Sequence, residues 1–172
     1  MKHLAYLSLG SNLGHREDRL REAIARLGAL GTVVSVSSLY ETEPVEFTAQ
    51  PWFLNCAVAL ETTDLPEDLL KKILAIEGEM GRKRAIEQNK GPRTIDIDIL
   101  LYDEMTLDSP SLTVPHPAMQ HRRFVLAPLA EIAPHARHPR LNRSVEQVLA
   151  ALPAGQAVSK LSSSETHTNW RG

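Results

Sequence analysis

Asp96 and Asp98 stand two residues apart in the run from Thr94 to Tyr102, the most strictly alternating stretch of the chain. Side chains of an extended strand alternate, so both carboxylates share one face while Ile95, Ile97, Ile99 and Leu101 share the other. At a rise of ~3.3 Å per residue the two are about 6.6 Å apart along the backbone, close enough for one metal or a metal pair. Hard oxygen ligands favour Mg²⁺ over zinc or copper. An isolated Asp-x-Asp reads better as a solvated face. Here, however, aspartate is disfavoured in strands, and two of them occupy the most strand-like segment. Just upstream lie Arg82, Lys83, Arg84, Lys90 and Arg93, opposed only by Glu87. A cation site facing such a loop suits a polyphosphate: Mg²⁺ bridges its oxygens, and arginine presents planar forks matched to phosphate. Lys83 and Lys90 read equally well as solvated charges. His116, between Pro115 and Pro117, is placed to donate to phosphate.

Other chemistries are excluded. No Gly-x-x-x-x-Gly-Lys-Ser/Thr run occurs, so the chain is not a Walker-type NTPase, and its seven histidines form no His-Glu-x-x-His pattern. Gly10-Ser11-Asn12-Leu13-Gly14 resembles a phosphate-cradling turn only faintly and reads better as a plain strand-to-helix turn. Cys56 is the only cysteine, which excludes an intrachain disulfide and a cysteine zinc cluster; within the apolar run Leu54 to Leu60 it reads as a packed strand residue. A net charge of -2 argues against a dedicated nucleic-acid binder. No signal peptide is visible and no apolar stretch is long enough to span a membrane, so the expectation is a cytoplasmic protein.

The elements that must position these groups follow from periodicity. With 172 residues the chain fits one domain, 1–172, whose tail from about residue 155 is expected to fray. Leu4 to Leu9 reads as a strand, and Arg16 to Leu30 as a helix stopped by Gly31. Thr32 to Tyr40 and Trp52 to Leu60 read as strands. Asp64, Pro66 and Glu67 mark the start of a helix with Leu69, Leu70, Ile73, Leu74 and Met80 on its apolar stripe, closed by Gly81. Thr94 to Tyr102 is the fourth strand. The three prolines between Asp108 and Pro117 predict irregular chain. Short helices are expected at Ala118 to Phe124 and Pro128 to Ile132, and a last one at Ser144 to Leu152. The order strand–helix–strand–strand–helix–strand predicts an α+β, ferredoxin-like fold, a mainly antiparallel sheet with helices packed on it.

Several stretches together resemble the 6-hydroxymethyl-7,8-dihydropterin pyrophosphokinase family. They are Leu9 to Leu13, Ser38 to Pro44, Phe53 to Val58, Gly91-Pro92-Arg93-Thr94-Ile95-Asp96-Ile97-Asp98-Ile99, and Leu112 to Pro117. The resemblance spans roughly residues 4 to 135, and its Gly-Pro-Arg-x-x-Asp-x-Asp piece is the specific one. It implies transfer of pyrophosphate from ATP to the hydroxymethyl group of the dihydropterin, with release of AMP, in folate biosynthesis. Two Mg²⁺ ions would be held by Asp96 and Asp98. The resemblance further implies that Phe53 and Phe124 sandwich the pterin, with Asn55 on its polar edge and Gly10, Thr42 and Val45 completing the pocket. Arg82, Arg84, Arg93, His116 and Arg122 would contact phosphates, and Leu70, Ile99, Leu112 and Thr113 would line the adenine site. The partners implied are the two small substrates alone, with no nucleic acid and no membrane, and the enzyme is expected to be a monomer. The chain departs from the family where Asn89-Lys90 replaces a Trp before Gly-Pro-Arg, and where Pro117 replaces an aromatic.

Those roles fit the residue types, since a flat heteroaromatic ring wants both faces stacked and its edge satisfied. Taken without the family, Phe53 reads as an ordinary core residue, whereas a buried amide such as Asn55 needs partners. Two rivals stand beside this reading: another Mg²⁺-dependent phosphoryl or nucleotidyl transferase, and a non-enzymatic ferredoxin-like binding module.

Overall fold

The computed structural model describes residues 1–43, 51–82, 94–155 and 157–161. The elements run β1 (His3–Ser11), α1 (Arg16–Leu27), β2 (Thr32–Val36), β3 (Tyr40–Thr42), β4 (Phe53–Thr62), α2 (Pro66–Glu79) and β5 (Asp96–Tyr102). They continue with β6 (Leu107–Asp108), β7 (Thr113–Val114), a 3₁₀ turn (Met119–His121), α3 (Arg123–Ile132), β8 (Arg137–His138), β9 (Arg143–Ser144), α4 (Val145–Ala150) and β10 (Val158–Lys160).

The main sheet has the order β10-β3-β4-β1-β5, with β2 pairing on β4 beyond the end of β3. Every pairing in it is antiparallel. With β2 and β3 counted as one interrupted strand, this is the ferredoxin-like arrangement predicted from the element order. The interruption has a local cause. Ser37 is buried and its hydroxyl accepts the Ala57 N–H at 2.8 Å, a bond the backbone would otherwise carry. A propensity reading sees one strand from Thr32 to Tyr40; the serine divides it.

Alternation sorts each strand between two cores. Ala5, Leu7 and Leu9 of β1, Cys56, Val58 and Leu60 of β4, and Ile97 and Ile99 of β5 pack with Leu20, Ile24 and Leu27 of α1 and Leu69 and Ile73 of α2. On the opposite face Ala57, Leu100 and Leu101 pack with Val125, Leu126 and Leu129 of α3 and Val145 and Val148 of α4. The β1–β5 register slips between Tyr6 and Leu7, which pair with Leu101 and Ile99. Leu101 therefore joins Leu100 on the α3 side, where strict alternation predicts it beside the isoleucines, and Tyr102 turns to the other core.

Other boundaries also differ from the sequence reading. The first helix ends at Leu27 with Gly28 as its cap. Gly31 serves a close approach instead, since a Cβ there would lie 2.1 Å from the Glu61 carbonyl oxygen. Asp64 does not cap α2; Leu65 occupies that position, and the Asp64 carboxylate holds Lys72 at 2.9 Å. Leu74 is 42% exposed, and its expected place on the buried stripe is taken by Ile76 and Glu77. Gly81 does end the helix, at φ +92°. The two short helices expected around Phe124 and Pro128 are a 3₁₀ turn and one helix, α3, with Pro128 inside it. Ser144 caps α4 in a box with Gln147, and that helix ends at Ala150. The stretch expected to fray contributes β10, whose Val158 pairs with Thr42. Among the described residues no helix is long and apolar enough to cross a membrane.

Candidate active site

The two strands flanking β1 bring the chemistry together. Gly10 pairs with Asn55 on one side and Asp96 on the other; two residues back, Ser8 pairs with Ala57 and Asp98. Both carboxylates therefore face the α3 side of the sheet, one row apart, with the Asn55 amide across Gly10 from Asp96. Phe53 pairs with Thr42 at the neighbouring end of β4. The last wall comes from the start of α3. Together Ser8, Gly10, Thr42, Phe53, Asn55, Asp96, Asp98, Arg122, Arg123 and Phe124 line a cavity of about 290 Å³, with Leu152 to Gly155 along its rim.

Asn55 is 4% exposed and its Oδ1 accepts the Thr42 hydroxyl at 2.7 Å; Thr42 is itself buried. The amide is thus oriented before any ligand arrives, with its Nδ2 over Gly10 and 3.5 Å from the Leu9 carbonyl. Phe53 and Phe124 are half-buried, and both line the cavity. The Arg122 guanidinium carbon lies 5.7 Å from the centre of the Phe124 ring, a cation–π contact that links the aromatic wall to a positive charge.

His116 does not line the cavity. Its backbone N–H donates to the Leu100 carbonyl at 2.9 Å, and its Nδ1 accepts the Ala118 N–H at 3.1 Å. That bond assigns the neutral tautomer with hydrogen on Nε2. Burial pushes its pKa down and Arg122 adds to this, with Asp96 opposing. His116 is therefore a neutral donor at neutral pH, in electrostatic reach of Arg122 and Asp96.

Of the expected site residues, Gly10, Thr42, Phe53, Asn55, Asp96, Asp98, Arg122 and Phe124 meet in one cavity. Leu70, Ile99, Leu112 and Thr113 stand apart from it. Ile99 is 3% exposed in the core under α1 and α2, Leu70 and Leu112 pack against that core, and Thr113 lies on β7. Arg82 follows Gly81 at the end of α2. Val45, Arg84 and Arg93, with the basic loop from 83 to 93, lie outside the described residues.

The sequence reading missed Arg123, whose Nη2 donates to the carbonyls of Leu152 at 3.4 Å and Pro153 at 3.0 Å. It thereby holds the rim of the cavity against α3. Only its place beside Arg122 and Phe124 could have pointed to it. Glu77 was missed as well. It is 1% exposed, and its Oε2 accepts the Ile97 N–H at 2.7 Å on the open side of edge strand β5.

Asp96 and Asp98 present hard oxygen donors on one face. Among the described residues no three His, Cys, Asp or Glu side chains converge on a point. Mg²⁺ fits such a sparse set, because it is commonly held by one or two carboxylates plus substrate phosphates.

The family model described as 7,8-dihydro-6-hydroxymethylpterin-pyrophosphokinase (HPPK) matches residues 6–134. The 2-amino-4-hydroxy-6-hydroxymethyldihydropteridine pyrophosphokinase of Bacillus subtilis is 46% identical over 149 residues, which cover 86% of this chain and 88% of that one. Its namesake in Pseudomonas aeruginosa is 45% identical over 150 residues, covering 86% of this chain and 91% of that one. The folic acid synthesis protein fol1 of Schizosaccharomyces pombe is 42% identical over 153 residues; these are 88% of this chain but 21% of that protein. Among solved structures, Plasmodium falciparum HPPK-DHPS with pteroate superimposes with a TM-score of 0.71 at 18% identity, covering 87% of this chain and 42% of that one. That likeness speaks for the fold alone.

Proposed function

The chain belongs to the 7,8-dihydro-6-hydroxymethylpterin-pyrophosphokinase family, and from that premise we propose how its cavity performs the reaction. The enzyme transfers pyrophosphate from ATP to the hydroxymethyl group of 6-hydroxymethyl-7,8-dihydropterin and releases AMP, a step in folate biosynthesis. The observation that carries the site reading is the joining, in one cavity, of two phenylalanines, a pre-oriented amide and two carboxylates.

The pterin lies between Phe53 and Phe124, and the Asn55 amide meets the polar edge of the ring. Thr42 holds that amide in place, and the family resemblance assigns Val45 to the pterin as well. Asp96 and Asp98 hold two Mg²⁺ ions, which when bound neutralise the triphosphate charge. Arg82, Arg84, Arg93 and Arg122 bind phosphate oxygens, and His116 gives them a neutral N–H donor. Leu70, Leu112 and Thr113 line the adenine outside that cavity, and Ile99, whose side chain is packed in the core, can offer it only its backbone. With both substrates fixed, the hydroxymethyl oxygen attacks the β-phosphorus. The bond from that phosphorus to the oxygen bridging to the α-phosphorus breaks, its electrons leave with AMP, and the hydroxyl proton is released. Positioning and charge neutralisation carry most of the rate. We take the whole chain as one catalytic unit, a monomer working in the cytoplasm.

Product analysis with ATP, Mg²⁺ and the hydroxymethyl-dihydropterin tests the reading. AMP and the pterin pyrophosphate are the expected products. ADP would mean a different kinase, and absence of turnover would mean a binding module.

A further inference from the structure

The last residue of β1 and the one after it have no part in the mechanism above, yet they touch both halves of the site. Ser11 is fully buried and its hydroxyl donates to the Thr94 carbonyl at 2.6 Å. Asn12 is 2% exposed and its Nδ2 donates to the Pro51 carbonyl at 2.9 Å. Thr94 lies two residues before Asp96, and Pro51 two residues before Phe53.

Each bond begins where a backbone ladder ends. On one side of β1 the last pair is Gly10 with Asp96, and the Ser11 side chain makes the next link, to Thr94. On the other side the last pair is Ser11 with Leu54, and the Asn12 side chain reaches on to Pro51. Beyond its last pair a strand end frays unless something holds it. These two buried side chains hold the ends from which the carboxylate strand and the aromatic strand set out.

We infer that Ser11 and Asn12 are separate positioning residues: Ser11 fixes the carboxylates of β5, and Asn12 fixes Phe53 and Asn55 of β4. The inference rests on the site reading given above. The two arms are unequal. Arg16 of α1 also holds the β4 end, its Nη1 donating to the Trp52 carbonyl at 2.9 Å, so loss of Asn12 is partly covered. Loss of either donor unties the strand end it holds, and a displacement of even 1 Å at reacting groups slows chemistry steeply.

Ser11→Ala and Asn12→Ala, with Ser11→Thr as the variant that keeps the hydroxyl, test this by two readouts. Amide exchange should accelerate at residues 96–98 and not at 53–55 in Ser11→Ala, and the reverse in Asn12→Ala; Ser11→Thr should match the wild type. In kinetics, Ser11→Ala should lower kcat roughly tenfold with little change in pterin affinity. Asn12→Ala should weaken the pterin severalfold, measured with a non-hydrolysable ATP analogue, and leave kcat nearly unchanged. If Ser11→Ala does not fold, Ser11→Cys, whose thiol is a poor donor, replaces it. Acceleration of exchange in both segments by both variants, or in neither by either, overturns the inference, and so does a Ser11→Thr that behaves like Ser11→Ala. Failure of the site reading would look different: the wild type would neither bind the pterin nor form AMP, while the split exchange pattern would persist.

Discussion

Gly10 lies directly beneath the Asn55 amide, so close that a Cβ on Gly10 would stand 2.6 Å from Asn55 Nδ2. The two face each other across β1 and β4. Neither could be larger without moving the other. Gly10→Ala must therefore push the amide aside and strain the 2.7 Å bond it accepts from Thr42. A buried hydroxyl left unsatisfied costs about 1–3 kcal/mol. We expect pterin affinity to fall by roughly tenfold or more, with ATP affinity nearly unchanged, because in the proposed site the Asn55 amide meets only the pterin. Calorimetric titration of the two ligands would check this; equal losses would mean that the sheet itself had shifted.

Asp96→Ala and Asp98→Ala should each nearly abolish turnover while leaving the protein folded. Both carboxylates are half-buried on the cavity face, whereas Ile97 and Ile99 on the opposite face carry the packing of β5. Removing one of two neighbouring like charges costs the strand little. Rates at saturating Mg²⁺ and melting curves are the measurements. Near wild-type turnover in either variant would remove that carboxylate from the metal site.

How far the sequence reaches is visible in these residues. Alternation alone put Asp96 and Asp98 on one face, and the element order alone gave the sheet, because both depend on local periodicity and short connections. The proposed pterin side came only from the family resemblance. Phe53 and Phe124 are 71 positions apart in sequence, and nothing local says that β4 and the start of α3 share a cavity. The errors have physical causes. Leu101 changed face through a bulge, Ser37 divided a strand by replacing one backbone bond with a side-chain bond, and Gly31 answers to a distant carbonyl rather than to its own helix. Arg123 was invisible because its partners, the carbonyls of Leu152 and Pro153, are set by tertiary packing.

A pH dependence follows from Glu131, which ties α3 to the chain before β3. Its carboxylate accepts the Tyr40 hydroxyl at 2.7 Å, the Ser38 N–H at 2.9 Å and the Ser38 hydroxyl at 3.0 Å, with Lys160 Nζ at 3.7 Å. Burial alone would raise its pKa, but these bonds and the lysine outweigh it and hold the pKa below the usual carboxylate value. Tyr40 stays a donor, since burial first and Glu131 second push its hydroxyl well above the usual range. A lowered folded pKa means that the unfolded chain binds more protons. The stabilisation is therefore present above the unfolded pKa, near 4.3, and is lost as pH falls through the folded one. Glu131→Gln should lower the melting temperature by roughly a few degrees at pH 7, and the gap to wild type should narrow as the pH falls through the lowered pKa of Glu131. A gap of the same size at every pH, with no narrowing on acidification, would assign the effect to packing.

The two aromatic walls should not be equivalent. Phe53 stands on β4 beside Thr42 and Asn55, at the end of the cavity where we propose the pterin binds. Phe124 also carries the Arg122 guanidinium 5.7 Å from its ring centre. Removing one stacking face costs about 1–3 kcal/mol by analogy with nucleobases, so Phe53→Ala should weaken the pterin by about 5- to 150-fold and leave ATP almost untouched. Phe124→Ala should produce a similar pterin loss. It should also release Arg122, and a cation–π contact worth about 0.5–2 kcal/mol implies an added 2- to 30-fold loss for ATP if Arg122 binds phosphate from that position. Phe124→Tyr keeps a ring under the guanidinium and should restore most of the ATP affinity. Separate titrations of the pterin and of Mg-ATP against the three variants decide the matter. If Phe124→Ala left ATP binding at the wild-type level, Arg122 would not need the ring to reach phosphate, and the two halves of the site would be independent on this wall.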